Sequence, residues 1–148
     1  MVGFNLKKMT TKNPISNHFE NDCSIIQYDH QNSVLLFRWK LEPASEEFKQ
    51  AMHEVIAALR HFKTSKVVWD TVRLGCVLFD DQKWIANVWL KQAIEAGYAQ
   101  AAFVVPEDVF TKMSVEDTVE MGTAITAGVR QTKYFDDMKN ALEWICGQ

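Results

Sequence analysis

The sequence predicts an α/β fold: a single domain with a five-stranded mixed sheet flanked by helices, in the order ββαβαβαβα. Three observations lead there. Short β-branched and apolar runs alternate with segments whose apolar residues recur at helical spacing. Two such runs near the start are separated by only two polar residues, which makes a hairpin. Every later strand-like run is separated from the next by a helix, and a helical crossover makes neighbouring strands parallel. At 148 residues and 47% hydrophobic composition, the chain has the size of one domain and the apolar content for one core.

Taken in order, residues 1–22 carry few periodic apolar positions and contain the turn formers Asn13-Pro14 and Asn21-Asp22. They are expected to be a flexible N-terminal arm before a domain of residues 23–148. CSIIQYDH (23–30) and SVLLFRWK (33–40), joined through Gln31-Asn32, are the hairpin. Ser45 is the expected N-cap of a first helix, with Glu46 and Glu47 in its first turn and Phe48, Met52, Val55, Ile56, Leu59 and Phe62 along its inner stripe. KVVWD (66–70) is a short buried strand. A connection through Arg73 and Gly75 then leads to Asp80, the expected cap of a second helix bearing Trp84, Ile85, Val88, Trp89 and Ile94 and ended by Gly97. AQAAFVVP (99–106) is too continuously apolar to have a wet face, so it should be central and covered on both sides. Ser114-x-x-Asp117 resembles a capping box for a third helix through Val119 and Ile125, TKYF (132–135) is the last strand, and Asp136 caps a final helix with Met138, Ala141, Leu142 and Ile145 inward.

Composition closes several functional classes. A formal net charge of -3 leaves no general basic footprint for nucleic acid. The longest charge-free stretch, residues 96–106, includes Gln100 and Pro106 and is far shorter than the roughly 20 apolar residues of a membrane-spanning helix, so no transmembrane segment is expected. The segment MTTKNPISNHFEND is polar where a signal peptide is apolar. Cys23, Cys76 and Cys146 are far apart and form no C-x-x-C pair, which suits a reducing, cytoplasmic setting. His53-Glu54 begins the H-E-x-x-H pattern, but Ala57 stands where the second histidine would be, so no metal site is expected. His53 and His61 lie off the apolar stripe of their helix and should face solvent. Nucleophile-elbow and phosphate-loop motifs are missing too, and no catalytic residue or cofactor is assigned.

The richest segment is Trp69-Asp70-Thr71-Val72-Arg73, at the carboxyl end of a strand, followed by Phe79-Asp80-Asp81 at a helix start. Ligands of open α/β sheets bind at such ends, so Trp69, Asp70, Arg73, Asp80 and Trp84 are the candidate ligand-binding residues. If Arg73 is free, an anionic head group is favoured; if it is tied to Asp70, the ligand should be mostly apolar. The plainer alternative has Asp70 bonding loop amides, Arg73 pairing with it and Asp80 only capping. Trp84 and Trp89 lie about 140° apart on an α-helix, so only one of them can face a pocket squarely. The abundant aromatics, with Gly122, Ala124 and Gly128 in the third helix, suggest a homodimer. The functional expectation is a non-enzymatic regulatory module that binds a small molecule or a protein. The alternative is a small enzyme using the Asp70, Arg73 and Cys76 loop.

The WDT-x-R loop, VVPEDVFTKMSVED (104–117) and YFDDMKNALEW (134–144), in this order of elements, resemble the SpoIIAA-like family of small bacterial proteins over residues 23–147. That family shares its fold with the STAS and CRAL-TRIO groups, so the resemblance implies a SpoIIAA-like, STAS-like domain. In STAS regulators of sigma factors, a serine at the helix start after the third strand is phosphorylated. Here that region reads Phe79-Asp80-Asp81-Gln82, so no phosphoswitch is expected, although Asp81 places a fixed negative charge there. CRAL-TRIO domains enclose a lipid between helices and sheet.

Overall fold

Among the described residues, six strands form one sheet in the order in which they occur along the chain. The computed structural model describes residues 14–125, 129 and 131–148. β1 (Ile15–Glu20), β2 (Ser24–Asp29) and β3 (Val34–Trp39) run antiparallel to one another; β4 (Lys66–Asp70), β5 (Gln100–Val104) and β6 (Gln131–Phe135) continue from β3 in parallel. Among the described residues four helices accompany them: α1 (Ser45–Phe62), α2, α3 (Val109–Ile125) and α4 (Met138–Cys146). α2 has three successive pieces, an α-helical Phe79–Trp84, a widened π turn Ile85–Trp89, and an α-helical Leu90–Glu95.

The α/β class and the mixed sheet agree with expectation, but the sheet has one strand more than the five expected. The extra strand is β1, inside the stretch expected to be an arm; residues 1–13 of that stretch lie outside the described residues. A bulge between Asn17 and Phe19 breaks the period-2 pattern that would have announced it. Phe19 nevertheless packs on the main core.

Alternation along the strands divides that core. Leu35, Phe37, Trp39, Val67, Trp69 and Ala101 face a layer built by α1, α2 and α3, while Val34, Val68, Ala102 and Val104 face Ala141 and Ile145 of α4. β5 is thus covered on both faces, as its continuous apolar run predicts. α1 buries Phe48, Met52, Val55, Ile56 and Leu59, the stripe read from the sequence; His53 and His61 are exposed.

Several helix starts differ from expectation by a residue or more. Ala44, not Ser45, is the N-cap of α1, with Glu47 Oε1 accepting from the Ala44 amide at 3.1 Å. Ser45 Oγ is thereby freed to donate to Asp81 Oδ1 at 2.7 Å, tying α1 to α2. α2 starts after Leu78, so Asp80 lies inside its first turn instead of capping it. α3 begins a turn and more before Ser114: Asp108 Oδ2 accepts from the Thr111 amide at 3.0 Å and the Thr111 hydroxyl at 2.7 Å. Those bonds hold the Asp108 carboxyl below its usual range. Asp137, not Asp136, caps α4, accepting from the Asn140 amide at 2.8 Å. Gly97 ends α2 as expected, at a φ of 109° that a side chain rarely adopts.

Candidate functional site

β4 delivers Trp69 and Asp70 as neighbours in sequence, and the period of a strand sends them to opposite faces of the sheet. Trp69 enters the helix side. Its ring stacks on Phe103 of β5 with centroids 6.0 Å apart and meets Trp89 of α2 edge-on at 5.8 Å. Its indole N–H donates to the Tyr98 hydroxyl at 3.0 Å. Asp70 turns to the α4 side, where it lies 3.5 Å from Arg38 Nε of β3 and accepts from the Val72 amide at 3.2 Å.

The remaining sequence candidates scatter. Arg73 is exposed, and among the described residues it forms no ion pair; of the two alternatives it is the free one, and Asp70 is beside Arg38 instead. Asp80 is exposed beside Lys83 Nζ at 3.6 Å, whereas its neighbour Asp81 is buried against Ser45. Trp84 is half-buried on the outer side of α1, edge-on to His53 at 5.2 Å and beneath the Lys49 ammonium at 5.5 Å. Cys76 is an exposed free thiol, and no hydrogen bond or ion pair joins it to Asp70 or Arg73 among the described residues.

What gathers instead around Trp69 is a cavity of about 90 Å³ between the helix layer and the sheet. The sheet supplies Trp69 and Phe103, α1 supplies Met52, α2 supplies Ile85, Trp89 and Leu90, and α3 supplies Val115, Thr118, Val119 and Gly122. The π turn places both Ile85 and Trp89 on the cavity, and the Trp89 indole is fixed by donation to the Met52 carbonyl at 2.7 Å. Of the two tryptophans of α2, Trp89 therefore faces the pocket and Trp84 packs outside it. Among the lining residues Thr123 and Thr132 are exposed and Val129 is half-buried, so the cavity opens along the seam between α3 and β6.

Among the described residues, no acidic, basic or histidine side chain belongs to the walls. Their polarity comes from hydroxyls, most of which are spent on the backbone. Thr71 Oγ1 donates to the Val104 carbonyl at 2.8 Å, Thr118 Oγ1 to that of Ser114 at 2.7 Å, and Thr123 Oγ1 to that of Val119 at 3.0 Å. Tyr98 is 5% exposed, and burial pushes its phenol pKa up strongly, so it remains a neutral O–H group. At the seam, Tyr134 is pushed up to about 12 by burial and by Glu116 and Glu120 of α3. Ser114, expected to cap α3, stands behind the cavity wall, where its Oγ accepts from the Val77 amide at 2.7 Å. No family model, curated protein or solved structure matches this chain.

Proposed function

We propose that this chain is a non-enzymatic binding module that takes a small, mainly apolar molecule into the cavity between helices and sheet. The carrying observation is the cavity itself, about 90 Å³ with aromatic and aliphatic walls and no charged side chain among the described residues. A space of that character excludes charge and rewards apolar volume, and an apolar protein cavity of comparable scale binds benzene or xenon. The π turn beside it supports the same reading, because such widened turns concentrate at functional sites. Membership of the SpoIIAA-like group belongs to the proposal, since CRAL-TRIO domains hold lipid between the same two layers. A regulatory role, a cytoplasmic location and a homodimer are proposed with it; Leu78, Phe79, Val109 and Phe110, all at least 60% exposed, support a partner surface.

Xenon is the direct probe. Under xenon pressure, amide and indole resonances of Trp69, Trp89, Val119 and Gly122 should shift together in ¹⁵N-resolved spectra. Shifts confined to other regions, or none at all, remove the proposal. Light scattering at micromolar concentration that reads 17.0 kDa removes the homodimer.

A further inference from the structure

Tyr98 has one buried hydrogen bond too few. Its oxygen accepts from the Trp69 indole, but among the described residues its own O–H proton has no acceptor. A phenol carries a donor as well as acceptor lone pairs, and buried donors in native proteins are almost always matched by protein or water. Tyr98 belongs to the cavity wall, and the other wall hydroxyls at Thr71, Thr118 and Thr123 have already given their protons to carbonyls. Thr132 belongs to the exposed rim. Among the buried hydroxyls of the wall, Tyr98 is thus the one with a proton left to give a ligand.

We infer that the ligand is a neutral, apolar molecule with a carbonyl or ether oxygen that accepts the Tyr98 proton. This rests on the binding reading of the cavity and adds the chemistry of its occupant. A carboxylate or phosphate would enter walls that hold no cation among the described residues, past Glu116 and Glu120 near the seam. A plain hydrocarbon would leave the phenol proton buried and unmatched, at a cost that water or a ligand oxygen removes. Donation from the Trp69 indole polarises the Tyr98 hydroxyl toward giving its own proton, so the two bonds strengthen each other. In the ligand-free protein a water molecule fits the same place, and a ligand oxygen substitutes for it.

The test compares two probes of equal chain length, 2-pentanone and n-pentane, titrated into wild-type protein and Tyr98→Phe with ¹⁵N-resolved spectra as readout. The substitution should weaken 2-pentanone by about three- to tenfold, the worth of one net hydrogen bond, and leave pentane within about twofold. In wild type the Trp69 indole N–H resonance should move with the ketone and far less with pentane. Ketone affinity unchanged by Tyr98→Phe overturns the inference while pentane binding still upholds the cavity. Binding of neither probe to wild type removes both. If Tyr98→Phe loses pentane as well, the infrared carbonyl stretch of wild-type-bound ketone decides: a band lowered from its position in hexane supports the hydrogen bond, and an unshifted band overturns it.

Discussion

Replacing Gly122 by alanine measures whether the cavity has room to give. A Cβ at this position would lie 2.8 Å from Leu90 Cδ2, against the 3.5–4.0 Å of an ordinary carbon contact, so the leucine methyl must retreat by about 1 Å. Leu90 also lines the cavity, and its methyl has empty space to move into. Holding that side chain off its preferred rotamer costs about 0.5–1.5 kcal/mol. Alanine in a helix interior returns about 1 kcal/mol relative to glycine. The two terms nearly cancel, and the variant should stay within roughly 0.5 kcal/mol of wild type, a Tm change of about 2 °C or less at this size. Urea denaturation and calorimetry give the stability; xenon or pentane titration gives the second readout, which should fall because the new methyl and the displaced Leu90 occupy part of the space. A loss above about 2 kcal/mol, the range of an overpacked core, would refute the reasoning by showing that Leu90 has nowhere to go.

Ser114→Ala should cost about 1–3 kcal/mol, because the Val77 amide is left buried without its acceptor; an unchanged urea midpoint would contradict the bond. Deleting residues 1–22 removes β1, strips the pairing partner from β2 and takes Phe19 off the core, so Tm should fall by several degrees, and an unaltered melting curve would mean that β1 adds nothing to the sheet. Tyr98 and Tyr134 have folded-state pKa values raised above the ordinary 10.0, so the unfolded chain loses these protons first. Their contribution to stability is whole below about pH 10 and drains as the pH rises through about 12; Tyr98→Phe together with Tyr134→Phe should flatten the alkaline limb of a stability-against-pH curve, and an identical limb would refute the assignment.

Strands announced by uninterrupted patterns were legible from the sequence. KVVWD is strand β4 to the residue, and the α1 stripe from Phe48 to Leu59 is buried as its spacing requires. What failed was local chemistry with two plausible owners. Both Ser114-x-x-Asp117 and Asp108-x-x-Thr111 resemble a helix start, and the choice was made by Val77, a residue 37 positions from Ser114 that needed its hydroxyl. Ser45 was drawn from its capping role by Asp81 in the same way. The site shows both kinds of case. That Trp69 and Asp70 cannot share a pocket follows from adjacency on a strand and could have been read at once. Tyr98 carried no local signal, because its partner Trp69 lies 29 positions away.

The expectation of a ligand at the carboxyl ends of the strands depends on a switch point, where strand order reverses and successive helices leave for opposite faces. Here the order never reverses. The three crossovers from β3 to β6 all advance the same way and put α1, α2 and α3 on one face, so no crevice opens between diverging helices. Space must come from imperfect filling between the layers, and the size of the inward residues decides where. α1 covers the sheet with Phe48, Met52, Val55, Ile56 and Leu59. α3 offers Thr111, Ser114, Val115 and Gly122 as its buried set, smaller residues that leave space beside the ring of Trp69. Ser114 is held at that size by the Val77 amide, so a bond that locks α3 in place also keeps a larger side chain out of the layer behind the cavity.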